Sequence, residues 1–559
     1  MQTRILSVCL GLVVGSGSGL GLAGCGSSGS SGENPPTDGS VSQPPDGGVP
    51  PIDPPLQPGD PGQSDIRFTI STAGTLRPIS PLIYGVNGTP NWQQNRPGIA
   101  RSGGNRLTAY NWENNASNAG NDYQYQNDGY LSASNTPGEA VRPLVETAHA
   151  SGAAALLTVP IVDYVAADKN GGGDIRNSAN YQTTRLKANK AAKGSAFSTT
   201  PDTADGNVYQ DEFVSWAQGK FASGGPMLYS LDNEPDLWSS THPEVHAGAV
   251  GYSELVQRNT TFAKAIKAVA PSSKVLGFVS YGYSGYTTLQ SAPDASGKGE
   301  FIDYYLTQMK SAEASAGGRL IDYLDLHWYP EAQGGGVRIT DLGTGAAEVD
   351  AREQAPRSLW DDTYKENSWI ANSAVNGPVR LLPWLFDKIS RNYPGTGLSF
   401  TEWNYGGGGH ISGAIATADV LGIFGRDGVS LACIWPLNSD ESFTYAGLQA
   451  FRNFDGAGGA FGNVSIPATN SDKVAGSIYA SVDSGNSARV VLVAINKRGT
   501  TLKAGITVAH PTAFSRAEVY TLSGTNPAFV KGADITAVAQ NAFNYPMPAQ
   551  SVSVLVPKS

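Results

Sequence analysis

The sequence predicts an α/β fold: a (β/α)8 TIM-like barrel with an additional C-terminal antiparallel β-sandwich domain. Three observations predict it. Between residues 81 and 437, short apolar runs alternate with longer amphipathic stretches, the pattern of parallel strands each followed by a helix. Beyond about residue 455 the runs become short and β-branched, with turn residues between them and no helical period. All ten tryptophans fall between Trp92 and Trp435, so the composition changes at the same place as the pattern.

Eight runs qualify as buried parallel strands: residues 81–86, 99–105, 153–162, 226–233, 274–280, 320–327, 397–402 and 429–435. The second is the poorest, because Ser102-Gly103-Gly104 is weak strand material. The stretch 252–270 shows the helical half of the pattern. Leu255, Phe262, Ile266 and Val269 share one face, and Pro271 stops it. These units give a barrel domain over residues 81–455 and a sandwich over 456–559. Residues 66–70 alternate like a strand, and the segment 66–80 is expected to join the sandwich at an edge. Tyr479, Tyr520 and Tyr545 are the sandwich's candidate sugar-facing aromatics. Without a tryptophan, the domain reads as structural.

The N-terminal residues read as a secretory signal. Arg4 is followed by an apolar run and then by Leu22-Ala23-Gly24-Cys25. That tetrapeptide resembles the bacterial lipobox, which implies cleavage before Cys25 and acylation of its thiol. Residues 1–25 are therefore expected to be a lipoprotein signal, with Cys25 the lipid attachment site. Residues 26–65 are Gly, Ser, Pro and Asp with little to bury, so they are expected to be a disordered tether. The expected location is the outer membrane or cell surface, or secretion, with membrane contact only through the anchor.

A net charge of −10 argues against nucleic acid, since neutralising phosphates needs a basic surface. Six scattered histidines without HxH or HExxH spacing give no metal site, and no cofactor is expected. Acidic residues in the polar stretch 168–211 could hold a structural calcium, although no EF-hand spacing occurs. Cys433 is the single cysteine beyond the anchor, so no internal disulfide is expected. A monomer acting on a neutral polymer fits this composition.

Two segments carry the chemistry. Leu228-Tyr229-Ser230-Leu231-Asp232-Asn233-Glu234-Pro235 ends an apolar run in polar residues, and Pro235 terminates the strand. Leu398-Ser399-Phe400-Thr401-Glu402-Trp403-Asn404-Tyr405 places Glu402 at the end of the seventh run. The C-terminal rim of a barrel is where catalytic groups are carried. A glycosidic bond needs a proton on its leaving oxygen and a nucleophile at its anomeric carbon. Two carboxyls about 5–5.5 Å apart supply both with retention, and a wider gap admits water and inverts. Spacing in the sequence leaves both outcomes open.

These two segments resemble the signature regions of glycoside hydrolase family 44. Gly103-Gly104-Asn105 with Tyr110-Asn111-Trp112-Glu113-Asn114-Asn115 does so as well, and the resemblance runs from about residue 66 to the C-terminus. It implies a retaining endo-β-1,4-glucanase or xyloglucanase built as barrel plus sandwich, with Glu234 the acid/base and Glu402 the nucleophile. Its partner would be a β-glucan polysaccharide or oligosaccharide. Two other readings stand beside it. One is another retaining barrel glycosidase such as an α-L-arabinofuranosidase. The other is a surface lipoprotein that binds glycan without cutting it.

The remaining candidates are substrate-binding. Asn233 could bond a sugar 2-hydroxyl, and Arg101 and Asn105 could bond hydroxyls or steer the nucleophile. His327, Trp328 and Tyr329 end the sixth run, Trp435 ends the eighth, and Trp238 and Trp403 flank the two glutamates. Aromatics there would offer faces to pyranose rings. Gly406-Gly407-Gly408-Gly409 lacks the Lys-Ser/Thr of a phosphate loop and reads as a mobile rim.

Overall fold

The computed structural model describes Ile52 and residues 54–341 and 343–559. The expected signal, Cys25 and residues 26–51 and 53 of the expected tether lie outside these residues.

Eight parallel strands close into a barrel: Gly85–Asn87, Ile99–Ser102, Ala154–Val159, Met227–Leu231, Val275–Ser280, Tyr323–Trp328, Gly397–Trp403 and Leu431–Ile434. They are buried on both faces, which is why they read as near-continuous apolar runs. The helix expected at 252–270 spans Tyr252–Val269 and buries Leu255, Phe262 and Ile266. Most strands are shorter than the runs that predict them, the first two for visible reasons. Pro81–Ile83 is a 3-10 turn whose Leu82 N–H is capped by Ser80 Oγ, so the first strand starts at Gly85. The second ends at Ser102 because the glycines after it are filled by side chains. A Cβ on Gly103 would lie 2.2 Å from the Arg101 guanidinium carbon, and one on Gly104 2.5 Å from the Trp435 ring.

The sandwich follows. One sheet runs Ala468–Asn470, Ile66–Ser71, Leu502–Ala509, Ala542–Met547. The other contains Val464–Ile466, Gly476–Asp483, Asn486–Asn496, Ser551–Lys558 and Arg516–Ser523. Ile66–Ser71 is an interior strand, not an edge, and pairs parallel with Leu502–Ala509. Its alternation buries Ile66, Phe68 and Ile70. Arg77–Pro78 joins the second sheet, so the 66–80 segment enters both. The tether ends earlier than expected. Leu56 bridges His510, and Gly59 N–H donates to Gln540 O at 2.7 Å. The Asn544 amide donates to the carbonyls of Pro61 and Gln63. Prolines need no donor partners, so a Pro-rich stretch can lie along a sheet while side chains satisfy its carbonyls.

Helix Ile411–Asp427 is buried almost all round because it sits between barrel and sandwich. Tyr479 OH and Lys497 Nζ both reach Asp419 at 2.6 Å, and a Cβ on Gly422 would strike the Tyr479 ring. Tyr479 therefore belongs to the domain junction. Tyr545 is buried with its hydroxyl at Ser553, and Tyr520 packs on Phe454. Tyr479 and Tyr545 are buried, and half-buried Tyr520 lies against Phe454 and Lys531.

Two further stretches carry order that their composition does not show. The stretch 168–211 contributes Leu186–Lys190 and Asn207–Tyr209 to a three-stranded sheet with Tyr164–Ala166. Its acids are engaged singly: Asp168 with Arg185, Asp174 with Arg176, Asp211 with Lys193 N–H. Among the described residues no three of them come close enough together to share an ion. The tetraglycine is not a mobile rim. Gly406 to Gly408 are buried, and a Cβ on Gly407 would meet the Arg352 side chain at 2.9 Å. Glycine is used there for close approach.

Candidate active site

Glu234 lies three residues beyond Met227–Leu231, at the head of the turn Pro235–Leu237. Its φ is +45° and that of Asp232 is +68°. Each such residue costs about 1–3 kcal/mol and persists only where its surroundings enforce it. Here they do. Glu234 N–H donates to Val279 O at 2.9 Å, and the Asp232 carboxylate accepts from the N–H groups of Ile161 and Asn233 at 2.6 and 2.8 Å. Burial pushes Asp232 up to about 6. The strained turn points Glu234 over the barrel mouth with its side chain 21% exposed.

Glu402 projects from the seventh strand, and its side chain is 7% exposed. Arg101 Nη1 donates to Glu402 Oε1 at 2.7 Å, and Tyr329 OH donates to Oε2 at 2.8 Å. Arg101 is itself fully buried and bridges to Asn87 Oδ1 at 3.1 Å and Asn233 Oδ1 at 2.8 Å. Burial opposes charging of Glu402, but His327, the Arg101 guanidinium and the Tyr329 hydroxyl outweigh it. They hold the carboxyl below the usual range, so it is ionised.

His327 links the two acids. Its Nδ1 lies 2.8 Å from Glu234 Oε1 and 3.5 Å from Glu402 Oε2. One oxygen of each glutamate and one His327 nitrogen lie within 4.8 Å of one another. Among the described residues this is the one trio close enough to share an ion, and the guanidinium against Glu402 opposes a cation there. Deeper in the barrel, Asp325 accepts from Ser399 Oγ, Thr401 N–H and Thr401 Oγ1, and burial raises its pKa.

The structure thus gathers Glu234, Glu402, Arg101, Asn233, His327 and Tyr329 at one mouth. Half-buried Trp435 lies beside them over Gly104. A groove of about 520 Å³ opens next to it, lined by Asn87, Thr89, Asn438, Asp440 and Tyr445 among others.

Four candidates fall elsewhere. Trp238 and Trp403 are fully buried, and Trp328 is 2% exposed. Trp238 packs on His246, Trp403 on Phe424, and Trp328 donates its indole N–H to Tyr405 OH. They wedge helices and loops against the barrel, and a buried ring has no face left for sugar. The Asn105 amide is committed to Ala119 O and Asn121 Oδ1 within its own loop. The asparagines of the 110–122 segment are likewise structural: Asn115 alone bonds Tyr110 OH, Ala140 N–H and the carbonyls of Ser134 and Thr136.

Sequence reasoning missed Asn87, which also donates to Thr401 O at 2.9 Å, although a polar residue closing the first apolar run was a signal. It also missed Asp236, buried against Ser280 and Tyr281 N–H and pushed up to about 7, chiefly by burial and with Glu234 adding to the rise.

With this geometry in hand, comparison with known proteins places the chain. The family model for glycoside hydrolase family 44 matches residues 116–332. Endoglucanase A of Paenibacillus lautus is 40% identical over 518 residues, covering 89% of this chain and 73% of that protein. The chain belongs to glycoside hydrolase family 44. A xyloglucanase of this family from Paenibacillus polymyxa, solved with xyloglucan, superposes with a TM-score of 0.85 at 38% identity, over 88% of this chain and 99% of that one. The family 44 endoglucanase Cel44A of Clostridium thermocellum gives 0.84 at 38% identity, over 89% and 100%. The protein is thus a glycoside hydrolase, and a binding lipoprotein without catalysis is not favoured.

For this family 44 enzyme the Arg101 contact yields a pH prediction. Glu402 has a depressed pKa in the folded enzyme, so its carboxylate persists as pH falls until that pKa is reached. Removing the guanidinium raises it. Arg101→Gln is expected to move the acid limb of kcat/KM to higher pH and lower kcat by about 10²-fold, the scale of losing one charge-directed donor. Arg101→Lys, which keeps charge but not the fork, is expected to restore the limb more than the rate. An acid limb that stays in place in Arg101→Gln would contradict the contact's role.

Proposed function

We propose that the chain is a retaining endo-β-1,4-glucanase of the cellulase or xyloglucanase type, with Glu402 as nucleophile and Glu234 as acid/base. The observation that carries this is the separation of the two carboxyls. Oxygens within 4.8 Å match the short spacing of retaining enzymes and leave no room for a water between Glu402 and the anomeric carbon. Glu402, held ionised by Arg101, attacks the anomeric carbon while Glu234 gives its proton to the departing oxygen. The glycosyl ester removes the negative charge of Glu402. Glu234, now a carboxylate, takes a proton from water, which opens the ester from the opposite face. Tyr329 steadies the oxygen of Glu402 that Arg101 does not hold. The relatives it resembles are an endoglucanase and a xyloglucanase, which supports glucan and xyloglucan as substrates.

The test is stereochemical. Proton NMR during hydrolysis of a soluble β-glucan should show the β anomer first, with viscosity falling well before reducing ends accumulate. An α anomer appearing first would overturn retention, and release of single sugars from chain ends would overturn endo action.

The Leu22-Ala23-Gly24-Cys25 motif supports export as a lipoprotein, with the enzyme held at the cell surface. Cys25→Ala is expected to move the protein from the membrane fraction to the soluble one. Continued pelleting with membranes would remove Cys25 as the anchor.

A further inference from the structure

Of the ten tryptophans, Trp369 alone is exposed, at 43%. A single exposed ring is ordinary, but this one is held by its neighbours. It meets Tyr283 edge to face at 5.9 Å, and Tyr283 stacks on Trp384 at 5.6 Å with planes 27° apart. A ring pinned in this way loses little conformational entropy when a ligand settles on it. Trp369 also opens a widened helical turn, Ile370–Ala374, in which Val375 N–H bonds Ile370 O five residues back. Such turns are rare and occur frequently at functional sites. Exposed Asn367 and Asn372 lie two residues before and three residues after Trp369; the Asn372 amide donates a hydrogen bond to Asn367 Oδ1 at 3.1 Å, and the pair offers further polar edges on the same turn. An aromatic face bordered by amides fits a pyranose, whose C–H groups stack and whose hydroxyls bond.

Its position ties it to the catalytic mouth. Tyr283 begins the helix directly after the fifth barrel strand, and Asn367 O accepts from Gln333 N–H in the loop after the sixth. Tyr281, two residues before Tyr283, donates its N–H to Asp236, which is two residues from Glu234. Rings continue inward from Tyr283 to Tyr286 and Trp328, beside His327. In-line displacement sends the leaving chain away from Glu402 and toward Glu234. Trp435 and the groove at Asn87 occupy the other side of the mouth.

We propose that Trp369 is a stacking platform for the leaving-group portion of a β-1,4-glucan chain, a remote subsite on the loops after the fifth and sixth strands. It rests on the glucanase reading. The test compares kcat/KM on xyloglucan polymer with kcat/KM on an aryl cellobioside, whose leaving group is too short to reach the platform. In Trp369→Ala the polymer-to-cellobioside ratio is expected to fall about tenfold, the equivalent of about 1.4 kcal/mol. In Trp369→Tyr, which keeps a ring, most of the ratio is expected to return. An unchanged ratio in Trp369→Ala, whether both values hold or fall in parallel, overturns the platform and leaves the glucanase reading standing. Failure of the wild type to cut polymer overturns that reading, and the platform with it.

Discussion

Glu402→Ala is expected to lose on the order of 10⁵-fold in kcat on β-glucan, as enzymes deprived of their nucleophile do. The loss follows from the site's construction. Arg101, Tyr329 and His327 are all aimed at that one carboxylate, and none can replace it. The vacated space should admit azide, with Arg101 left to draw the anion in. Azide should then attack the anomeric carbon of an activated aryl cellobioside directly from the Glu402 side. It restores turnover and yields the α-glycosyl azide, of configuration opposite to the substrate. Wild-type rates in Glu402→Ala would remove both the nucleophile assignment and the double displacement.

Glu234→Ala is expected to behave differently in each half of the reaction. On polymer, whose leaving oxygen needs a proton, the loss should be about 10²–10⁴-fold, the range of general acid catalysis. On an aryl cellobioside whose leaving group departs unprotonated, the first step survives and only the attack of water lacks its base. The glycosyl-enzyme should accumulate, with a burst of phenol and a lowered KM. Azide, which needs no base, should speed the second step and give the β-glycosyl azide. Opposite azide configurations from the two variants would separate the roles in one experiment. An α-azide from Glu234→Ala would exchange them.

Much of this site was legible because catalytic geometry leaves local marks. Glu234 and Glu402 each end an apolar run in a polar cluster, and the barrel then brings 168 residues of separation to one mouth. The barrel itself was legible because strands buried on both faces read as unbroken apolar runs. What the sequence hid was the direction in which a ring points. Trp238, Trp403 and Trp435 all lie beside strand ends, yet only Trp435 is left half-open, with its ring seated over Gly104, where a Cβ would strike it. Trp369 lies far from any motif and becomes visible only when the loops after the fifth and sixth strands meet. The tetraglycine misled for a related reason: glycine marks free rotation and tight approach alike, and only the Arg352 side chain packed on Gly407 distinguishes them. The expected tether read correctly as poor in apolar residues, but its last part is ordered by carbonyl contacts that composition cannot reveal.

The central claim is that Glu402 forms a covalent bond to the sugar, and trapping that bond tests it most directly. A 2-deoxy-2-fluoro cellobioside with an activated leaving group slows both steps but lets the first proceed, so the intermediate persists. Mass spectrometry of the intact protein should show one added fluoroglycosyl unit. Peptic digestion should place it on the peptide containing Thr401-Glu402-Trp403, with Glu402 as the bonded residue. A label on any other carboxylate, or an unlabelled protein that turns the reagent over with inversion, would contradict the account.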